Sequence, residues 1–265
     1  MTPHAPRIAV VTGGNRGLGL ETVRELAEVG FRVILAARNR DSANAAVGDL
    51  TEAASDIVPR VLDVTDEESL RRFKEIIVER ENRVDVLVNN AGISMDGFDG
   101  EVARRTIDVN ALGAIRVTEA LLPLIPQDGS IVFVSSGLGS LSGLHADLRA
   151  ELEDKGLDRE GVEAFCARFV ADVTDGTWRE QHWPGSAYRV SKLAMNAYAR
   201  VLARALGDDG PRVNAVNPGW VRTRMGGPAA PRGIVEGARG IVWAARLPPD
   251  GPTGKCLRDG EIVDW

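Results

Sequence analysis

Short runs rich in Val and Ile recur along the 265-residue chain, with amphipathic stretches between them. The runs barely alternate between apolar and polar residues, which is typical of strands buried on both faces of a parallel sheet. Such strand–helix alternation predicts a doubly wound α/β fold, in which helices cover both faces of one sheet. The runs lie at residues 7–11, 32–36, 57–63, 86–90, 130–135 and 212–216.

Two of the amphipathic stretches carry helix signals at their ends. Residues 18–30 have apolar positions at helical spacing and finish on Gly30, a residue suited to a C-cap. Residues 65–80 start with Thr65 and early acidic residues, as a helix N-terminus prefers. No repeat, linker or low-complexity tract divides the chain, so we expect a single domain over residues 1–265.

Charge and cysteine content exclude several classes of protein. The formal net charge of −6 argues against a nucleic-acid partner, which usually needs a basic chain. No stretch has the length of a transmembrane helix, and the first residues lack the pattern of a signal peptide, so we expect no membrane association. Two distant cysteines, Cys166 and Cys256, imply no disulfide framework and fit the cytoplasm.

The three histidines of the chain are scattered in the sequence, at His4, His145 and His182. They show no metal-ligand spacing, so we expect surface or loop histidines and no metal site.

The first Val-rich run leads directly into a glycine-rich segment, TGGNRGLG, at residues 12–19. Glycines let the backbone turn tightly and approach a pyrophosphate, and the following helix N-terminus offers free N–H groups. Between a first strand and a first helix, this pattern predicts dinucleotide binding. The expected contacts are Gly13, Asn15, Arg16, Gly17, Leu18 and Gly19.

The end of the second run bears on which dinucleotide binds. NAD-binding folds usually place an acidic residue here, where it bonds the ribose 2′-hydroxyl. This chain has Ala36, Ala37 and Arg38 instead. Arg38, together with Arg16 from the glycine turn, can pair with a 2′-phosphate through charge-assisted hydrogen bonds. The sequence therefore favours NADP(H), with solvated loop arginines as the alternative interpretation.

Tyr188 and Lys192 stand one helical turn apart in GSAYRVSK, at residues 185–192, and so share a helix face. A lysine beside a tyrosine can stabilise the phenolate and make an acid–base group. The same spacing also occurs in an ordinary exposed polar stripe, so the pair alone does not decide between the two.

Seven motifs in chain order resemble those of the short-chain dehydrogenase/reductase family, whose members have a Rossmann-type doubly wound sheet. The resemblance implies hydride transfer between a nicotinamide cofactor and a small molecule. The motifs are TGGNRGLG (12–19), LDVTD (62–66), NNAG (89–92), Asn110 in DVNALG, VSS (134–136), YRVSK (188–192) and NPGWVRT (217–223).

The resemblance also implies where the cofactor lies. Asp63 and Val64 would lie at its adenine. The residues expected along the rest of the cofactor, besides Tyr188 and Lys192, are Asn90, Ala91, Gly92, Pro218, Gly219, Val221 and Thr223.

A catalytic tetrad of Asn110, Ser136, Tyr188 and Lys192 is a further implication of the resemblance. Tyr188 would hand a proton to a carbonyl oxygen that Ser136 bonds. A free tyrosine has a pKa of about 10, so Lys192 is expected to lower that pKa and also to bond the nicotinamide ribose. Asn110 would hold a water that connects Lys192 to solvent.

Fifty-one residues separate Ser136 from Tyr188, where the commonest members of the family have a short loop. Residues 145–156 and 158–176 are predicted to be helices within this insertion, which spans about 137–185. The second helix has one apolar face, formed by Val162, Phe165, Phe169 and Val173. A similar insertion in the monomeric carbonyl reductases implies a monomer; a lid or a new partner surface is the alternative.

The C-terminal residues 247–265 resemble the same carbonyl-reductase subgroup, and Trp220 after the Pro-Gly pair is expected at the substrate. These features together indicate NADPH-dependent reduction of an aldehyde, ketone or quinone. An NAD-linked alcohol dehydrogenase is the alternative within the enzymes. A non-catalytic NADP(H)-binding sensor or scaffold is the alternative outside them, although such a protein would not need the acid–base pair.

Overall fold

The computed structural model describes residues 6–50 and 56–265. Eight strands form one sheet within these ranges, in the order β3-β2-β1-β4-β5-β6-β7-β8. Every neighbouring pair is parallel except β7 and β8, which are antiparallel. The strands are β1 (Ile8–Thr12), β2 (Arg32–Ala37), β3 (Ile57–Val61), β4 (Val86–Asn89), β5 (Ser130–Val134), β6 (Arg212–Val216), β7 (Lys255–Arg258) and β8 (Glu261–Val263).

Helices cover both faces of this sheet, and each face has its own apolar core. α1, α2 and α9 pack on one face, and α3, α4, α5 and α8 pack on the other. The predicted doubly wound α/β fold is therefore confirmed. The helices are α1 (Gly17–Glu28), α2 (Arg40–Gly48), α3 (Glu67–Arg80), α4 (Gly100–Ile107), α5 (Gly113–Leu121), α6 (Ala146–Glu153), α7 (Arg159–Thr174), α8 (Ala187–Leu206) and α9 (Ile234–Ala245).

The structure differs from the sequence predictions mainly at the ends of elements. α3 is capped by Asp66, whose side chain accepts from the Glu68 N–H, and not by the predicted Thr65. Thr65 instead donates its hydroxyl to Asp63. α1 ends at Glu28, and Gly30 follows it at a positive φ of 92°. β7 and β8 lie outside the Val- and Ile-rich runs from which the other six strands are predicted.

The strand order creates the place where a ligand can bind. β1 and β4 are neighbours in the sheet, but the chain leaves β1 toward β2 and β3 before it returns to β4. The connections that follow β1 and β4 therefore run in opposite directions, and a crevice opens between them at the carboxyl ends of the strands. The glycine turn and the NNAG segment lie on the two sides of this crevice.

α6 and α7 lie in the long stretch that precedes Tyr188, as the sequence predicts. α7 packs across α4 and α8, and its predicted apolar face is buried. The rings of Phe165 and Phe169 meet Trp183 edge-on, with centroids 4.8 and 5.2 Å away. The insertion thus belongs to the main apolar core and covers helix faces that would otherwise be exposed.

Candidate active site

The glycine turn has the backbone geometry of an anion-binding loop. Gly13 and Gly17 have φ values of 62° and 55°, a region that favours glycine. A Cβ on Gly19 would lie 2.4 Å from both the Asn90 side chain and the Gly13 carbonyl, so only glycine fits there. α1 has no side-chain cap at Arg16 and no acidic residue in its first turn. Its first N–H groups are therefore available to a phosphate.

Asn90 supports this turn from the end of β4. Its Nδ2 donates to the carbonyls of Thr12 and Gly13, at 2.9 and 3.1 Å. The N–H groups of Asn90 and Ala91 both donate to the Thr12 hydroxyl at 3.0 Å. Sequence reasoning missed Thr12, whose only signal is a hydroxyl at the junction between a buried strand and a glycine turn.

Arg38 and Asp63 follow two neighbouring strands at the same edge of the sheet. Ala37, the last residue of β2, pairs with Val61, the last residue of β3. Arg38 is exposed, and Asp63 accepts from both the N–H and the hydroxyl of Thr65 at 3.0 and 2.7 Å. Val64 beside Asp63 is buried. This end of the crevice thus combines a free guanidinium with a carboxylate held in a fixed orientation.

Arg16 brings a second guanidinium to the crevice from the glycine turn. The Gly14 N–H donates to the Ala36 carbonyl at 3.1 Å, which holds the turn against the end of β2. Arg16 and Arg38 are both exposed, and neither forms an ion pair with any carboxylate in the ranges 6–50 and 56–265. A phosphate monoester is the type of ligand that two such groups suit.

Tyr188 and Lys192 lie in the first two turns of α8, which is capped by Ser186. Lys192 is 4% exposed, and its Nζ donates to the Val134 carbonyl at 2.8 Å. The same nitrogen lies 5.5 Å from the centroid of the Tyr188 ring. The pair is thus a buried cation beside a half-buried phenol, and not an exposed polar stripe.

The two serines of VSS have different surroundings. Ser135 is 3% exposed and donates to Asn196 Oδ1 at 2.6 Å. Ser136 is half-buried, its Oγ accepts from the Leu138 N–H at 3.2 Å, and it lies near enough to the Tyr188 hydroxyl to influence the pKa of that phenol. The structure therefore brings Ser136, rather than Ser135, together with the tyrosine, as the sequence predicts.

The pKa of Tyr188 differs from the sequence expectation. Burial raises this pKa above its ordinary value, and the hydrogen bond from Ser136 opposes the rise without cancelling it. The expected lowering by Lys192 is wrong for this geometry, because burial dominates the pKa of Tyr188 and the ammonium donates to the Val134 carbonyl. Burial also lowers the pKa of Lys192 to about 8.

Asn110 lies in a π-helical turn, Asp108–Leu112, between α4 and α5. Its Nδ2 donates to the Ile93 carbonyl at 2.9 Å and to the Ser191 hydroxyl at 3.0 Å, and its Oδ1 accepts from the Ile93 N–H at 2.7 Å. A Cβ on Gly92 would lie 3.4 Å from this Oδ1. Asn110 therefore joins the segment after β4 to the helix that carries Tyr188 and Lys192. Single-turn π-bulges of this kind are frequent at functional sites.

The loop after β6 closes the crevice on the side of α1. Pro218 is buried, and Gly219 has a φ of 80° and donates its N–H to Asn217 at 2.9 Å. The Thr223 side chain lies 3.6 Å from the position of a Cβ on Gly17, so the loop touches the glycine turn. Val221 is buried against the same helix pair, α1 and α9.

Trp220 is 58% exposed, and its Nε1 donates to the Gly226 carbonyl at 2.8 Å. The indole thus braces its own loop and is not enclosed. Leu138, beside Ser136, is also exposed, at 55%. The contact of Trp220 with a substrate stays a prediction.

Two histidines that are distant in sequence are brought together by the insertion. The rings of His145 and His182 stack with centroids 3.8 Å apart, and both residues are exposed, as the sequence predicts. His4 lies outside the described residues. Within the described part of the chain, no three His, Cys, Asp or Glu side chains are grouped to hold a metal ion. In the same part of the chain, the helices are too short or too polar to cross a membrane.

Comparisons with known proteins agree with this architecture. A family model described as short chain dehydrogenase matches residues 7–147, and a second, described as enoyl-(acyl carrier protein) reductase, matches residues 176–239. The stretch between the two matches contains most of α6 and all of α7.

Relatives and solved structures match over nearly the whole chain. Mouse carbonyl reductase (NADPH) 1 is 36% identical over 97% of this chain and 98% of its own. Salutaridine reductase from Papaver somniferum is 30% identical, with a TM-score of 0.89 over 96% of this chain and 99% of that one. Menthone neomenthol reductase from Mentha piperita is 31% identical, with a TM-score of 0.85 over 97% and 100%.

The crevice, the glycine turn and the buried lysine beside a tyrosine define a dinucleotide-binding α/β protein. The chain belongs to the short-chain dehydrogenase/reductase family.

Burial of Lys192 has a testable consequence for stability. Its pKa is lowered from 10.5 to about 8 in the folded protein, so between these values the unfolded chain binds more protons than the folded one. The free energy of unfolding of the wild type, relative to Lys192→Met, is therefore expected to rise by about 3 kcal/mol as pH increases through this window. Chemical denaturation at several pH values measures the difference.

Lys155→Met serves as the control, because Lys155 is exposed. Its difference from the wild type should not depend on pH. A Lys192→Met difference that is equally flat would show that the buried amine keeps an ordinary pKa.

Proposed function

We propose that this protein is an NADPH-dependent carbonyl reductase, in which Tyr188 gives a proton to the carbonyl oxygen of an aldehyde, ketone or quinone. The observation that carries the proposal is the meeting of Tyr188, Ser136 and the buried Lys192 at the carboxyl ends of the strands. The relatives named carbonyl reductase and the reductases among the solved structures support the same reaction.

The residues that line the crevice suit NADPH. A Cβ at Gly13 or Gly19 would collide with neighbouring atoms, Gly17 has a positive φ of 55° that favours glycine, and the uncapped start of α1 offers N–H donors to a pyrophosphate. Arg38 and Arg16 would hold the 2′-phosphate, and Asp63 would lie at the adenine. When bound, NADPH supplies the hydride.

Tyr188 suits the role of acid in the reductive direction. Burial raises its pKa above the ordinary value, so the hydroxyl is protonated at neutral pH, and Ser136 lies beside it. Ser136 would bond the carbonyl oxygen and hold it beside the proton. Lys192 would hydrogen-bond the nicotinamide ribose and so hold the cofactor beside Tyr188.

The role of Asn110 in the tetrad would differ from the one expected from the sequence, which is to hold a water for Lys192. Both N–H groups of its amide already donate to protein acceptors, at Ile93 and Ser191. Any water that it holds for Lys192 must therefore donate to an oxygen of Asn110. We propose that its main task is to fix the segment at Ile93 against α8.

The two alternative functions would require different residues in the crevice. An NAD-linked alcohol dehydrogenase is disfavoured because β2 ends in Ala36, Ala37 and Arg38, without an acidic residue for a free 2′-hydroxyl. A non-catalytic sensor of NADP(H) would gain nothing from a buried Lys192 beside Tyr188, since burying an ammonium costs stability.

We propose a cytoplasmic location for the enzyme. Its two thiols, Cys166 and Cys256, are both buried, and burial raises the pKa of each, to about 12 and about 11. Such thiols are poor nucleophiles that serve packing, which fits a reducing compartment.

Tyr188→Phe tests the proton donor. NADPH oxidation with a panel of quinones, aromatic aldehydes and diketones should fall by about 10²- to 10⁴-fold, since only the acidic hydroxyl is lost. Tyr198→Phe is the matched control, because Tyr198 lies on the same helix and its hydroxyl donates to Glu119, away from the crevice. Equal turnover by Tyr188→Phe and the wild type would refute the assignment. Tight NADPH binding without turnover on any carbonyl would favour the sensor.

Arg38→Ala tests the choice of cofactor. Loss of a hydrogen-bonded charge pair should weaken NADPH binding by about 10- to 100-fold and leave NADH binding unchanged. Fluorescence titration with both cofactors measures this, and Arg80→Ala, on the exposed side of α3, is the control. A wild-type preference for NADH, or equal losses for both cofactors, would contradict the role of Arg38.

We further propose that the protein is a monomer. α7 packs on faces of α4 and α8 that would otherwise be exposed and able to form an interface with another chain. Sedimentation at micromolar concentration should show a single chain. A stable tetramer would show that the insertion does not block assembly.

A further inference from the structure

Asn196 is a buried polar residue on the helix that carries the active site. It lies one turn beyond Lys192 and two turns beyond Tyr188 on α8, so the three side chains share one helix face. Asn196 is only 3% exposed. A buried amide must find hydrogen-bond partners, and those partners show what it supports.

The amide of Asn196 bonds the chain on both sides of Ser136. Its Oδ1 accepts from the Ser135 hydroxyl at 2.6 Å, and its Nδ2 donates to the Gly139 carbonyl at 3.0 Å. The Gly139 N–H in turn donates to the carbonyl of Ser136 at 3.0 Å. Asn196 thus holds the residue before Ser136 and the end of the tight turn after it.

Gly139 lets the turn after Ser136 lie exceptionally close to α8. A Cβ at this position would lie 2.7 Å from Asn196 Nδ2 and 3.1 Å from the Lys192 carbonyl. The turn Gly137–Gly139 therefore rests directly on the backbone of α8. The position of Ser136 relative to Tyr188 is set by this contact, because both residues are tied to the same stretch of helix.

We propose that Asn196 is the positioning residue that holds the Ser136 hydroxyl in reach of Tyr188 and of the substrate oxygen. The inference rests on the proposed role of Ser136 in carbonyl reduction. Without the amide, the Ser135 hydroxyl and the Gly139 carbonyl lose their partner, and the turn can move away from α8. Small displacements of groups that orient a substrate lower kcat strongly.

A double-mutant cycle tests the proposal. The variants are Asn196→Ala, Ser136→Ala and the combination of the two, with kcat and KM measured for NADPH and one reactive carbonyl. Asn196→Ala should lower kcat by about tenfold or more while NADPH binding changes by less than about twofold. In the Ser136→Ala background the same change should lower kcat by less than about twofold, since the hydroxyl it positions is already absent.

Asn214→Ala is the matched control for loss of a buried amide. Asn214 is 1% exposed, and it likewise donates to one backbone group, the Pro252 carbonyl at 2.7 Å, and accepts from another, the Lys255 N–H at 3.0 Å. It lies in β6, outside the group formed by Ser136, Tyr188 and Lys192. Thermal unfolding should show similar destabilisation for both asparagine variants, whereas kcat should fall only for Asn196→Ala.

Ser135→Ala keeps the proposal testable if Asn196→Ala does not fold. It removes one of the two bonds of the amide and should lower kcat less, by about threefold, again only when Ser136 is present. Losses that multiply fully with those of Ser136→Ala would overturn the positioning role, as would an equal fall in kcat for Asn214→Ala. An unchanged kcat for Ser136→Ala itself would instead reject the proposed role of Ser136, and the inference with it.

Discussion

The close approach of α8 to the end of β5 is the contact on which the rest of the site depends. Lys192 donates to the Val134 carbonyl from a fully buried position, and Gly139 rests on the helix backbone without a side chain. Two residues beyond Val134, Ser136 meets Tyr188. Because one helix carries the proposed acid Tyr188, the buried Lys192 and the proposed positioning residue Asn196, a shift of α8 would disturb all three together.

Burial of Lys192 costs stability, because the ammonium loses most of its contact with water. In the proposed reaction, the amine would hydrogen-bond the nicotinamide ribose. Its pKa of about 8 leaves it mainly charged at neutral pH and still able to exchange a proton. The insertion contributes indirectly, because α7 packs on the outer side of α8 and holds that helix against the sheet.

The parts of the site that can be predicted from the sequence are those formed by residues close together in the chain. The glycine turn at residues 12–19 needs residues without side chains, and Tyr188 and Lys192 have helical spacing, so both patterns are visible in the chain. Thr12 and Asn196 were missed because their partners are distant in sequence and their residue types are ordinary. The direction of the Tyr188 pKa was wrong for a similar reason, since burial and the orientation of a lysine depend on tertiary packing.

The structure of a complex with NADPH and an unreactive carbonyl analogue would show which groups hold the substrate oxygen. We expect a carbonyl oxygen about 2.6–3.2 Å from both Tyr188 Oη and Ser136 Oγ, within hydrogen-bond reach. We also expect a carbonyl carbon about 3–3.5 Å from C4 of the nicotinamide. A carbonyl oxygen held by other groups, with Tyr188 out of reach, would contradict the proposed role of Tyr188.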